Sequence, residues 1–101
     1  MRKTSLVVQA RRRAPAGFAL IPEPQIGEGF TATKKVGNAV ARNRAKRRLR
    51  AGARQLLPYL GVVGVDYVFI ARANTGEIEW ASLLDDMESA LVSLGAEFVA
   101  E

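Results

Sequence analysis

KKVGNAVARNRAKRRLRAGAR, residues Lys34–Arg54, is the stretch on which the reading of this chain turns. It holds nine of the fifteen Lys and Arg residues. Gly37-Asn38 breaks the β-type pattern before it, and Asn38 is a favourable helix N-cap. From Ala39 to about Leu57 the spacing is helical. Ala41, Ala45, Leu49, Gly52, Ala53 and Leu56 fall within one arc of roughly 120°. Arg44, Lys46, Arg47, Arg48, Arg50 and Arg54 occupy the remaining arc, with Arg42 at its boundary. The small residues predict a helix lying close against a sheet, and Pro58 is expected to end it. Seven like charges between Arg42 and Arg54 would repel one another on an isolated helix. No acid between Gly29 and Leu57 pairs with them, so a polyanion is the natural partner, and nucleic acid the natural polyanion.

Working outward, Ser5–Ala10 reads as a strand that ends in the triplet Arg11–Arg13. Pro15 and Gly17 mark a turn, and Phe18–Ile21 reads as a second strand. Phe30–Val36 alternates as a third, with Phe30, Ala32 and Lys34 on one side. The short links predict antiparallel neighbours among these three. Gly61 and Gly64 lead into Val65–Ala71, the most β-prone run, which can lie parallel to an earlier strand because a helix precedes it. Ala73–Glu79 reads as a polar loop. Ser82 and Asp85 are spaced as a capping pair, Leu83 to Leu94 carry an apolar stripe, and Gly95 is the expected C-cap. Asp85, Asp86 and Glu88 then serve the helix dipole, and Trp80 packs at the helix start. The order βββαβα predicts an α+β fold, with helices on a four-stranded mixed sheet, in one domain spanning residues 1–101.

Charge is segregated along the chain. Residues 1–58 hold 14 basic residues against Glu23 and Glu28, a net +12, and residues 59–101 hold Arg72 against eight acids, a net −7. One oriented basic face follows, rather than general affinity for polyanions. The chain has neither Cys nor His, which removes disulfides, thiolate metal sites and the commonest general base. No apolar run approaches the roughly 20 residues of a membrane helix, and the start lacks the apolar region of a signal peptide. A cytoplasmic protein with no membrane partner is expected.

Lys34-Lys35-Val36-Gly37-Asn38-Ala39-Val40-Ala41-Arg42-Asn43-Arg44-Ala45-Lys46-Arg47-Arg48-Leu49-Arg50 resembles the signature of the protein component of bacterial ribonuclease P, a KK-x-GNAV turn running into an RNR-x-KR-x-x-R helix. Gly29–Thr33, Val65–Arg72 and Ser82–Leu94 resemble the family's flanking elements, so the likeness covers about residues 5–95. The resemblance implies a four-stranded mixed sheet with a left-handed crossover at the signature helix. It also implies a subunit of an endoribonuclease in which a catalytic RNA, using Mg2+ at its own active site, removes the 5′ leader of precursor tRNA. The chain itself would bind no cofactor or metal and hold no catalytic residue. Its partners would be the catalytic RNA and precursor tRNA. By resemblance Arg42, Asn43, Arg44, Lys46, Arg47 and Arg50 touch the RNA, beside Lys34, Lys35 and Asn38. Arg48 and Arg54 join them as members of the same basic face.

Family members usually carry a helix ahead of the first strand, bearing an aromatic that helps wall the leader cleft. That helix is expected to be missing here, which leaves leader binding open. Arg11, Arg12, Arg13, Phe18 and Phe30 are the candidate leader contacts, with the two phenylalanines favoured as core. A structural or ribosomal-type RNA-binding protein with a basic helix is the alternative. A DNA-reading helix lacks its usual dimerising heptad or second helix. A protein-only nuclease lacks an acidic cluster suited to two metals.

Overall fold

The computed structural model describes residues 1–13 and 26–99. The elements run β1 (Leu6–Arg12), β2 (Gly27–Thr31), a 3-10 turn (Lys34–Val36), α1 (Ala39–Leu60), β3 (Val65–Ala71) and α2 (Trp80–Val99). The α+β class is as expected. The second predicted strand, Phe18–Ile21, lies outside the described residues.

β3 is the centre of the sheet, in the order β1-β3-β2. It pairs antiparallel with β1, from Leu6 opposite Ala71 to Arg12 opposite Val65. It pairs parallel with β2, from Gly27 opposite Asp66 to Thr31 opposite Ile70. The antiparallel pairings expected among the early strands run through Phe18–Ile21 and so lie outside the described residues; of the two early strands described, β1 and β2 are separated by β3. The most apolar strand takes the position with a partner on each side, and α1 supplies the crossover that the parallel β2–β3 pair requires.

Both helices pack on one face. Val65, Tyr67, Phe69 and Ala71 of β3 are buried in alternation, and they join Leu6 and Val8 of β1. Ala45, Leu49, Ala53 and Leu57 of α1 complete the core with Leu83, Met87, Ala90, Leu91 and Leu94 of α2. The buried stripe of α1 follows the predicted arc, with Leu57 as the buried residue of the last turns. Gly52 marks the closest approach of the helices: a Cβ there would stand 2.6 Å from the Met87 sulfur.

Several boundaries differ from expectation. β2 ends at Thr31 and does not reach Val36, the Thr31–Ile70 pair being the last of its parallel ladder with β3. The chain instead closes a 3-10 turn, with Val36 N–H donating to the Thr33 carbonyl at 3.0 Å. Pro58 lies inside α1, which continues to Leu60. In that last turn its missing N–H costs one bond, and Gly61 N–H still donates to the Leu57 carbonyl at 2.9 Å. α2 starts at Trp80 and passes through Gly95 to Val99. Burial of its apolar stripe, with Phe98 packed on the core, carries the helix past the glycine.

The earlier start of α2 also changes the roles of its polar residues. Ser82 and Asp85 do not cap it, and Asp86 is not in the first turn. Its carboxylate accepts from Ser5 Oγ at 2.7 Å and from Ser5 N–H at 3.3 Å. The expected polar loop before α2 is partly internal. Thr75 is fully buried, its hydroxyl donating to the Ser5 carbonyl and accepting from Arg72 N–H at 2.7 Å.

Candidate RNA-binding site

The turn into α1 is built by two residues with separate tasks. Gly37 has φ of 140°, in a region that L side chains rarely adopt. A Cβ there would also stand 3.0 Å from that of Ala41. Asn38 is extended, and its Oδ1 accepts from Ala41 N–H at 2.9 Å. Its carbonyl accepts from Arg42 N–H at 2.9 Å. The Ala39 and Val40 amides open the helix beside Val40, whose side chain is 76% exposed. Amides at such an end suit phosphate oxygens. Lys34 and Lys35 are exposed on the 3-10 turn just ahead of it.

Along α1, Asn43, Arg44, Arg47, Arg50 and Arg54 are exposed, and Arg42 and Lys46 are half-buried. Among the described residues no carboxylate pairs with any cation of this helix. The sequence-predicted residues from Lys34 to Arg47 are thus gathered at one end of the molecule, around the N-terminal turns of α1. Their cations are planar or flexible donors suited to phosphate.

Among the described residues, two guanidinium groups of the helix are engaged by the protein itself. Arg48 reaches into the loop before α2, where Nη1 donates to the Thr75 carbonyl and Nη2 to that of Ile78, both at 2.6 Å. Its guanidinium carbon lies 5.6 Å from the centre of the Trp80 ring. Arg50 lies over Phe30, 5.2 Å from the ring centre. Phe30 in turn stacks on Phe69 with centroids 5.4 Å apart. Phe30 therefore extends the core on β2, capped by a cation.

The other candidates lie at the opposite end of the sheet. Arg13 donates from Nη2 and Nε to one oxygen of Asp66, at 2.6 and 3.0 Å. Arg12 donates to the Phe98 carbonyl at 3.2 Å and lies over that ring at 5.3 Å. Arg11 is exposed on the sheet face away from the helices. Phe18 lies outside the described residues. The structure does not bring Arg11–Arg13 together with the Lys34–Arg47 group. Trp80 and the Thr75 and Ile78 carbonyls were missed as partners of the basic helix. The spacing of Arg44, Arg47, Arg48 and Ala51 marks one stripe on α1, yet nothing local says what it faces.

Among the described residues, no three His, Cys, Asp or Glu side chains gather to hold a metal ion, and no helix is long and apolar enough to cross a membrane.

The family profile described as Ribonuclease P matches residues 1–95. The chain is 60% identical over 75 residues to the Ribonuclease P protein component of Caulobacter vibrioides, covering 74% of this chain and 50% of that one. It is 54% identical over 93 residues to the corresponding protein of Ruegeria pomeroyi, covering 91% and 70%. It therefore spans about half the length of the Caulobacter relative. In fold it is similar to the RNase P protein from Thermotoga maritima, with a TM-score of 0.72 at 20% identity, covering 92% of this chain and 80% of that one. The Staphylococcus aureus RNase P protein gives 0.70 at 21% identity, covering 93% and 78%.

Proposed function

The chain belongs to the ribonuclease P protein family, and on that premise we propose that it is the protein subunit of ribonuclease P. In this role it binds the catalytic RNA and assists removal of the 5′ leader from precursor tRNA in the cytoplasm. The observation that carries the reading is the N-terminal half of α1, where a capped Gly-Asn turn leads into a cationic face that has no carboxylate partner among the described residues. Lys34, Lys35, Asn38, Arg42, Asn43, Arg44, Lys46 and Arg47 form the docking surface, and Arg50 and Arg54 continue it. Arg48 supports that surface from behind through the loop before α2. Bond cleavage belongs to the RNA, with Mg2+ at the RNA active site. The chain contributes position: it neutralises phosphates, and its helix terminus and arginine forks orient the backbone they bind. Of the strand-end triplet, Arg11 is the residue we assign to the leader, since Arg12 and Arg13 lean on Phe98 and Asp66.

The test is precursor tRNA cleavage at low Mg2+, using the catalytic RNA with and without this chain. Stimulation with a correct mature 5′ end is expected. RNA binding without stimulation would return the chain to the structural RNA-binding class, and no binding at all would remove the RNA reading.

A further inference from the structure

On the flank of α1 opposite Phe30, a groove of about 410 Å³ runs between the helix and the start of α2, lined by Arg44, Arg47, Arg48, Ala51 and Trp80. Resting on the RNA-binding reading, we propose that this groove takes one unpaired nucleotide of the RNA partner. The base stacks on the Arg48–Trp80 pair, and its flanking phosphates are held by Arg44 and Arg47. Trp80 is half-buried, so part of its indole remains accessible. Arg48 is held by two carbonyls at 2.6 Å, so its guanidinium plane is set before any ligand arrives. A planar cation over an indole offers a stacking platform that every base can use. Ala51 keeps one wall low, and the methylenes of Arg44 run across Gly76, leaving its charged end exposed at the rim. A base still paired in a duplex cannot present its face to such a platform, so the groove selects single-stranded or bulged RNA. This makes Trp80 a specificity-determining residue of a surface otherwise built for phosphates.

Trp80 is the chain's only tryptophan, so its fluorescence reports on the groove directly. The probes are a short single-stranded oligoadenylate and an RNA duplex with the same number of phosphates, with occupancy followed separately by anisotropy of a labelled strand. Saturable quenching is expected with the single strand and little with the duplex, although both bind. Trp80→Leu should weaken the single strand about tenfold and leave duplex affinity unchanged. Trp80→Phe keeps a ring under Arg48 and should retain most of the single-strand affinity; thermal melting checks that both variants fold. Absence of quenching at full occupancy, or equal loss for both RNAs in Trp80→Leu, overturns the groove. If the chain still stimulates precursor tRNA cleavage in that case, the subunit reading stands and this inference alone is lost. Failure to bind either RNA removes both.

Discussion

The two basic clusters of this chain look alike in composition and differ in what surrounds them. At one end of the sheet, the cations around the start of α1 face solvent with no carboxylate partner among the described residues. At the other, Arg13 is paired with Asp66 and Arg12 lies over Phe98. A run of arginines is therefore no measure of binding capacity. What counts is whether each guanidinium already has acceptors within the protein, since an engaged one must give up a contact before it takes a phosphate.

Salt should separate the clusters most widely. If about six phosphates are neutralised by the α1 cluster, RNA affinity falls by about 10³ between 50 and 200 mM salt. Arg44→Ala and Arg47→Ala should each reduce the salt slope by about 1, whereas Arg12→Ala and Arg13→Ala should leave it unchanged, as read from binding isotherms at several salt concentrations. Equal slopes for all four variants would erase the distinction.

Arg48→Ala sharpens the same contrast within one helix. Two charge-assisted bonds to loop carbonyls and the Trp80 contact are lost together, so unfolding in urea should show a loss of about 2 kcal/mol or more. Its neighbour Arg47, exposed and without these contacts, should change stability by less than about 0.5 kcal/mol on truncation. Gly37→Ala acts on the turn that presents the first cluster. Forcing a Cβ into positive φ against Ala41 should cost about 1–2 kcal/mol, measured by thermal melting, and lower RNA affinity with it. The smallest effect belongs to the second cluster. The Arg13–Asp66 pair is partly exposed, at 22% and 47%, so screening limits Asp66→Asn to less than about 1 kcal/mol by the same melt.

Much of this fold was legible in local sequence. Gly37 and Asn38 announce the start of α1 by backbone chemistry that needs no partner: one residue takes a positive φ, and the other closes the first turn with its own side chain. Val65–Ala71 matches β3 residue for residue because alternating large apolar side chains are β-prone wherever they lie. The small-residue stripe of α1 anticipated its buried face, and the density of cations over Lys34–Arg54 anticipated an exposed cationic face.

Other features depended on distant residues. β3 lies between β1 and β2 because the strand that buries most apolar surface takes the place with two neighbours, which no single strand encodes. β2 stops at Thr31, where its ladder with β3 ends and the chain leaves the sheet for the 3-10 turn. α1 passes Pro58 and α2 passes Gly95 because burial against the shared core outweighs the local cost of each breaker. Asp86, Thr75 and Ser5 find one another across some 80 residues of chain, turning an apparent dipole acid and loop threonine into an internal polar latch. The roles of the arginines divide in the same way. Charge and period placed them on one face, but only the packed loop before α2 made Arg48 a clamp while Arg44 and Arg47 stayed exposed. Propensity and periodicity act over a few residues and can be read from the chain. Pairing, capping by remote groups and the availability of a charge are set by what lies within a few ångströms, and tertiary structure alone brings those groups there.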